Sequence, residues 1–253
     1  MLHFNDIAFG PIFSRRLGSS LGVNILPAEG KLCTFDCIYC ECGWNRDGMA
    51  ANRRFPGCTE VRDALSAKLE QCAADGTAID SITFSGNGEP TLNPEFPQIT
   101  DVAVELRDRY YPEAKISVLS NATMIDREEV FEALRKTDNP ILKIDAPYYD
   151  GIASVNRPAP GYSLEKVIAG LKRFNGNFIL QTMFLRSPEY DSSEEDNLKR
   201  WMDIVRYLSP REVMVYTIDR ETPEKDLVKF TAGQMTEMVR PLVEEGFHIQ
   251  VRG

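Results

Sequence analysis

Histidine is nearly absent from this chain: His3 and His248 are the only two in 253 residues. Neither falls near the polar segments singled out below. That removes Ser-His-Asp and Cys-His hydrolase arrangements, which need an imidazole to move a proton. No run of about eighteen apolar residues occurs, so no membrane-spanning helix and no membrane partner are expected. The opening MLHFNDIAFGPIFSRRLG lacks the basic-then-apolar pattern of a secretory signal. The expected compartment is therefore the cytoplasm, where thiols stay reduced. Positive charge is in deficit: 29 Lys and Arg against 38 Asp and Glu leave a formal charge of −9. A protein that binds nucleic acid mainly through phosphates carries the opposite balance. A local basic patch can form only around SRR at 14–16 and NRRF at 52–55. Linkers and low-complexity stretches are missing too, so residues 1–253 read as one domain.

What the chain has is a regular alternation of short apolar runs and amphipathic stretches. The run SLGVNIL (20–26) reads as a strand and leads into a cysteine-rich loop. TEVRDALSAKLEQCAADG (59–76) reads as a helix capped by Thr59, with Leu65, Leu69 and Cys72 on one face and Gly76 at its end. Strands then follow at 81–86, 115–120, 141–146, 178–185 and 212–218, each trailed by a helix, at 94–111, 126–137, 163–174, 193–208 and 231–246. FHIQV (247–251) closes the chain as a last strand. Near-continuous apolar strands separated by single helices argue for an α/β fold with a mostly parallel sheet. Six βα units fall short of a full eight-stranded barrel, leaving an open partial (βα)6 barrel or a doubly wound sheet. In either, functional groups gather at the carboxyl ends of the strands. The segments there are polar or glycine-bearing: GNGEPT, SNAT, DAPYYD, RSPEY and DRETPEKD.

The loop after the first strand is KLCTFDCIYCECGW (31–44). Four of the six cysteines crowd into it, and Cys33, Cys37 and Cys40 are spaced C-x3-C-x2-C. Disulfides between such close neighbours would be strained. Three thiolates at this spacing can converge on an iron–sulfur cluster and leave one iron corner open. A zinc site using Cys33, Cys37, Cys40 and Cys42 is the alternative, although zinc loops usually pair two separated Cys pairs. Four buried apolar cysteines fit poorly with Asp36, Glu41 and Gly43 in the same loop. Cys72 belongs to an apolar helix face. Cys58 follows a Pro-Gly turn and carries no assignment.

CTFDCIYC, with Tyr39 before the third cysteine, together with FSGNGEPTLNPEF after the second strand, resembles the radical S-adenosylmethionine superfamily. The resemblance covers nearly the whole chain and implies that family's partial (βα)6 barrel. It implies that Cys33, Cys37 and Cys40 hold a 4Fe-4S cluster whose fourth iron takes the amino and carboxylate groups of S-adenosylmethionine. Reductive cleavage then yields a 5′-deoxyadenosyl radical that abstracts hydrogen from a substrate. On the same ground Gly86, Asn87, Gly88 and Glu89 are implied to hold the methionine end, with Asn87 standing where many members have glycine. Ser120 and Asn121 resemble the ribose-binding pair, and Tyr39 lies by the adenine through its backbone. Lys143, Asp145 and Gln181 are candidates for the same space, Lys143 and Asp145 as catalytic groups. Strand alternation puts those two on one face. A low-potential reductant such as flavodoxin or ferredoxin is the implied partner. Structural alternatives stand beside these readings: Glu89 as a helix cap, Asn121 as a turn former, Lys143 and Asp145 as an ion pair, Cys42 as a bystander.

FGPIFSRRLGSSLGVNILP and YTIDRETPEKDL further resemble the wyosine-synthase-like (tRNA imidazoguanosine synthetase-like) subgroup, implying a modified nucleoside in tRNA as substrate. The acidic balance, the lack of an RNA-binding domain and the lack of a second upstream cysteine set count against it. The alternatives are an activase that installs a glycyl radical on a partner protein and a non-enzymatic zinc-stabilised binding module. For a large substrate, Arg15, Arg16, Arg53, Arg54, Asn156 and Arg157 are expected to edge the opening.

Overall fold

The structure, a computed structural model, describes residues 4–45 and 54–253. The chain runs β1 (Ala8–Ser14), β2 (Gly18–Val23), α1 (Cys58–Ala74), β3 (Ser81–Phe84), α2 (Phe96–Tyr110), β4 (Lys115–Ser120), α3 (Glu128–Arg135) and β5 (Asn139–Lys143). It continues α4 (Tyr149–Asn156), α5 (Leu164–Lys172), β6 (Ile179–Met183), β7 (Leu185–Arg186), α6 (Glu195–Leu208), β8 (Glu212–Tyr216), β9 (Val228–Lys229), α7 (Ala232–Glu244) and β10 (Ile249–Arg252). One sheet has the order β1-β2-β3-β4-β5-β6-β8-β10. Every neighbouring pair in it is parallel except β1 with β2.

That order decides between the two architectures the alternation allowed. A doubly wound sheet reverses its strand order at a switch point and so carries helices on both faces. Here the order increases without reversal, and right-handed crossovers then lay one helix of each crossover on the same face, while α4 packs on the cysteine loop instead. The packing agrees. Leu21, Val23, Ile82, Phe84, Ile116, Val118, Leu142, Leu180 and Val213 face the helices in one core with Leu65, Leu69, Ile99 and Val205. The alternate residues, Ile141, Ile179 and Met214, form a separate small cluster with Leu17 and Leu119 on the other face. That face lines an open half-barrel lumen. At the strand starts its floor is polar: Ser20 and Thr83 share a hydrogen bond of 2.7 Å, Ser81 and Ser117 one of 2.8 Å, and Asn139 donates to Ser117 at 3.1 Å.

The six crossovers and the closing strand fall where the alternation places them, with local differences. Strand β1 is absent from the sequence reading, because Gly10 and Pro11 interrupt its period. The two residues lie at a register shift between Phe9 and Ile12. The crossover after β5 holds two helices, α4 as well as α5. The run 178–185 splits into β6 and β7, and β7 pairs with β9 away from the main sheet. The cap of α1 is Gly57, not Thr59: the Gly57 N–H donates to the Glu60 carboxylate at 3.1 Å, and Cys58 opens the helix. Among the described residues no helix is long and apolar enough to cross a membrane.

The β1–β2 hairpin closes over the lumen because Gly22 has no side chain. A Cβ there would stand 2.1 Å from the Phe9 ring. Gly22→Ala is expected to unseat Phe9 and cost about 1–3 kcal/mol in urea unfolding. Gly161→Ala, at φ +91 with nothing within 4 Å, is expected to cost only its backbone strain, about 1 kcal/mol.

Candidate functional site

The cysteine loop is sewn to the sheet by main chain. The Leu32 N–H donates to Asn87 O at 2.7 Å and the Glu89 N–H donates back to Leu32 O at 3.0 Å. So close an approach requires glycine between them. A Cβ on Gly88 would lie 1.9 Å from Leu32 O, and one on Gly86 would lie 2.5 Å from Asn24 Oδ1. Both have φ near the mirror of extended chain, +138 and +139. The far side of the loop joins the end of α4, where the Asp36 N–H donates to Asn156 O at 2.8 Å and the Ile38 N–H to Val155 O at 3.0 Å.

Within this frame the three thiols meet donors and a cation. Lys31 is 1% exposed, and its ammonium donates to Asp36 Oδ1 at 3.0 Å and to Gly43 O at 3.1 Å. Burial alone would push Lys31 down, but the sulfurs of Cys40, Cys33 and Cys37 and the Asp36 carboxylate hold it well above the ordinary lysine range. The Phe35 N–H and the Asn121 amide point at Cys33 Sγ at 3.4 and 3.5 Å, and the Asn156 amide at Cys37 Sγ at 3.3 Å. Burial raises the Cys33 thiol and pushes Cys37 up to about 11. Cys42 has one proton and two acceptors, Gly86 O at 3.3 Å and the Cys40 sulfur. Given to Cys40, that proton outweighs burial and, with the Lys31 ammonium, pulls Cys40 down to about 6. Cys42 thus links the Cys40 sulfur to the glycine segment by hydrogen bonds.

Among the described residues, no three His, Cys, Asp or Glu side chains stand close enough together to close on a single ion. The chemistry of the donor set nonetheless suits a polynuclear group. Cys40 has the buried Lys31 ammonium as a hydrogen-bond donor, and the Cys33 and Cys37 sulfurs accept N–H bonds of the kind that tune iron–sulfur centres.

Glu89, 2% exposed, caps the 3-10 turn at Pro90–Leu92. Its Oε1 accepts from Thr91 N, Thr91 Oγ1 and Ser120 Oγ at 3.1, 2.6 and 2.8 Å, and its Oε2 accepts from the Asn121 N–H at 2.7 Å. Burial still outweighs these bonds and raises its carboxyl. Oε2 keeps a lone pair for a further donor. Asn87 has a different surrounding. Its side chain is fully buried, donates to Phe4 O at 2.8 Å and Pro27 O at 3.1 Å, and accepts from the Phe4 N–H at 2.9 Å. It holds the N-terminal segment, and only its main chain reaches the cysteine loop. Asn121 donates to Thr34 Oγ1 at 2.8 Å and accepts from the Thr123 N–H at 3.0 Å, so it is a turn former as well.

Lys143, Asp145 and Gln181 all face the lumen. Asp145 Oδ2 accepts from Tyr39 Oη and, at 2.6 Å, from Asn156 Nδ2, while Oδ1 accepts from the Met183 N–H at 2.9 Å. Lys143 Nζ lies 3.6 Å from Asp145 Oδ2 and donates to Tyr39 Oη at 2.8 Å and to Tyr216 Oη. Burial would depress Lys143, but Asp145, Tyr216 and the Cys37 sulfur hold it above its ordinary value. The Tyr39 hydroxyl, which the sequence reading passed over for its backbone, is thus the link between the cysteine loop and this network. Lys31 and Tyr216 were not singled out in the sequence, and Asn156 was placed at the rim rather than in this network. Tyr216 alone was reachable, by counting the alternation of β8 from Glu212 and Met214.

The expected arginine rim is corrected in part. Arg54 pairs with Glu60 at 2.7 Å and Arg157 with Glu224 at 3.1 Å, and neither lines the lumen cavity. Asn156 is fully buried and edges nothing, and Arg53 lies outside the described residues. Arg15 and Arg16 keep the expected placement, on the wall of a lumen cavity of about 450 Å³, Arg15 paired there with Asp219 at 2.8 Å. That cavity reaches from Arg16 to Tyr39, Cys42, Gly86 and Gly88.

The radical SAM superfamily domain matches residues 30–195, a span that holds the cysteine loop, the glycine segment and the strands of the lumen. The chain belongs to the radical SAM superfamily and is an enzyme of that class. Among curated proteins it is similar to a UPF0026 protein of Synechocystis, 30% identical across 89% of this chain and 79% of the relative. It is also 30% identical to a UPF0026 protein of Methanocaldococcus jannaschii, across 87% of this chain. The match spans only 65% of that relative's length. Among solved structures it superposes on a radical SAM methyltransferase from Sphaerobacter thermophilus with a TM-score of 0.69 at 17% identity, over 95% of this chain and 67% of that one. Streptococcus suis SuiB bound to S-adenosylmethionine follows with a TM-score of 0.64 at 14% identity, over 89% of this chain and 49% of that one. Likeness at these identities concerns the fold.

Asp145→Ala removes the one carboxylate beside the Lys143 ammonium and leaves a buried cation. The expected loss is about 3–5 kcal/mol of stability by denaturant titration. Glu221→Ala, which breaks the exposed pair with Lys225, is expected to stay within about 0.5 kcal/mol.

Proposed function

We propose that this enzyme reductively cleaves S-adenosylmethionine at a 4Fe-4S cluster held by Cys33, Cys37 and Cys40, and that the substrate meets it in the half-barrel lumen. The observation that carries the reading is the C-x3-C-x2-C loop clasped by main chain to the glycine segment, with N–H donors on the Cys33 and Cys37 sulfurs, beside a cavity that Tyr39, Cys42, Gly86 and Gly88 line. When bound, the cluster supplies the electron that splits the sulfonium and so provides a 5′-deoxyadenosyl radical for hydrogen abstraction. The chain's own residues do the rest. Lys31 offsets thiolate charge, and the Phe35 N–H and the Asn121 and Asn156 amides orient the sulfurs. The glycine segment brings main chain close without side-chain bulk, and the open lone pair of Glu89 Oε2 suits an ammonium donor. Tyr39, Lys143 and Tyr216 close the lumen side of the site with a hydrogen-bonded network that keeps bulk water from the reacting centre.

The segment that carries the resemblance to the wyosine-synthase-like subgroup is the β1–β2 hairpin, and it walls the substrate side of the lumen. On that ground the substrate reading is a modified nucleoside presented by tRNA, its reacting portion entering beneath the hairpin. A glycyl-radical partner protein is the competing outcome, and a low-potential flavodoxin or ferredoxin is the proposed reductant.

The test begins with anaerobic reconstitution. Cys33→Ala, Cys37→Ala and Cys40→Ala are each expected to lose iron and its visible absorbance, while Cys42→Ala keeps both. Loss of iron in Cys42→Ala alone, with Cys33→Ala intact, would overturn the ligand assignment. With wild type, S-adenosylmethionine and dithionite, 5′-deoxyadenosine is expected, and bulk tRNA or a glycyl-radical protein added in turn identifies the substrate class. Glu89→Gln is expected to raise the Kd for S-adenosylmethionine at least tenfold, about 1.4 kcal/mol, at unchanged iron content. An unchanged Kd by calorimetry rejects the Glu89 placement.

A further inference from the structure

The hairpin side of the lumen wall holds a cation with an unpaired nitrogen. Arg16 lies in the turn between β1 and β2, with its guanidinium 4.8 Å from the centroid of the Tyr216 ring. Its Nη1 is buried, and among the described residues it has no hydrogen-bond partner. A buried guanidinium N–H without an acceptor costs as much as a lost charged hydrogen bond, so such a group marks a place where an acceptor arrives from outside. Every other arginine at this cavity is differently placed. Arg15 closes on Asp219, Arg220 closes on Glu41, and Arg252 spends Nε on the carbonyl of Arg15 at 3.0 Å. Arg252 has no carboxylate partner among the described residues, and its strand register sets it beside Tyr216, on which Arg16 stacks.

Charge points the same way. The cavity wall carries four arginines and two carboxylates, Glu41 and Asp219, with no lysine or histidine. The whole chain is at −9. A locally positive cavity in an acidic protein attracts and retains anions. Two further inward-facing groups are orphaned in the row beneath Tyr216: Gln181 Nε2 on β6 and Gln250 Oε1 on β10. Three unpaired polar atoms thus line this side of the lumen; around Asp145 and Glu89 the hydrogen bonding is denser, with Asn156 Oδ1 the one unpaired buried atom among the described residues there.

We infer that Arg16, with Arg252 beside it, holds an oxyanion of the substrate, a carboxylate or a phosphate, against the Tyr216 face of the lumen cavity. A guanidinium fork takes either group through paired N–H bonds, and stacking on Tyr216 keeps the fork in one plane. The anion then anchors one end of the substrate, and the portion to be attacked extends across the lumen toward Tyr39 and Gly86. The inference rests on the proposed radical chemistry for the direction of that extension, but the anion site itself stands on the cavity alone.

The test uses the full-length protein and two probes at constant ionic strength, inorganic phosphate and acetate, read by thermal unfolding and by equilibrium binding. Saturable stabilisation of the wild type by either probe is expected, since a ligand that binds only the folded state raises its stability with concentration. Preference for phosphate points to a phosphorylated substrate, and preference for acetate to a carboxylate. Arg16→Gln is expected to weaken binding at least tenfold, and Arg16→Lys less, because the charge stays and the fork is lost. Arg54→Gln, remote and closed on Glu60, is expected to bind as the wild type does. Circular dichroism of Arg16→Lys checks that the hairpin still folds. Absence of saturable binding of both probes to wild type, or equal affinity in Arg16→Gln, overturns the inference. The two readings separate in the wild type. Phosphate or acetate binding without 5′-deoxyadenosine formation keeps the anion site and sinks the radical chemistry, and the converse pair of results does the reverse.

Discussion

The main-chain clasp between Leu32 and the Asn87–Glu89 segment is the constraint on which the site depends. It consists of two hydrogen bonds, 2.7 and 3.0 Å long, across a gap that admits no side chain at Gly88. Through it the cysteine loop, long and without secondary structure of its own, becomes an extension of the sheet edge above β3. Each neighbouring group inherits its position from this joint. Glu89 follows directly after the clasp, and its carboxylate ties β3's loop to Ser120 and Asn121 at the end of β4. Cys33 follows Leu32, and its sulfur comes within reach of the Asn121 amide.

A second set of bonds holds the far half of the loop, and its centre is Asp145. One carboxylate, 2% exposed, accepts from a residue of the cysteine loop, from the last residue of α4 and from the main chain of β6. A buried anion with these donors and an ammonium at 3.6 Å is satisfied, whereas any one of them left alone would be costly. The network therefore does structural work whatever part it takes in chemistry, and it joins Tyr39 and Tyr216 to the lumen wall. Among the described residues the unpaired buried polar atoms are Arg16 Nη1, Gln181 Nε2 and Gln250 Oε1 on the lumen side and Asn156 Oδ1 beside Asp145.

Much of this was legible in the chain before any fold was drawn. Alternating apolar runs and amphipathic stretches carry the parallel sheet and its six crossovers, because strand burial on both faces and helix burial on one leave different periods. The C-x3-C-x2-C spacing and the GNGEP segment carry the superfamily, because close thiols and close main chain each demand particular residues at particular intervals. Strand β1 escaped, since a bulge at Gly10 and Pro11 breaks the period that would reveal it. The arginines were legible as charges but not as partners: Arg15, Arg54 and Arg157 close on Asp219, Glu60 and Glu224, and only the first and third of these pairings span long stretches of chain.

The sequence by itself determined the strand and helix alternation, the cluster-type cysteine spacing and the glycines at 86 and 88, all of them features set within a few residues by local sterics and periodicity. The tertiary structure alone decided that helices cover one face of the sheet, because strand order is a property of the whole chain. It alone also decided that Lys31 is buried within the cysteine loop against Asp36 and the Gly43 carbonyl, that Asn156 reaches Cys37 from a helix 119 residues away, and that Arg16 Nη1 on the lumen wall is left without a partner among the described residues. Burial and pairing are relations between distant segments, and the free energy of a charged side chain depends on what the fold puts beside it rather than on its neighbours in sequence.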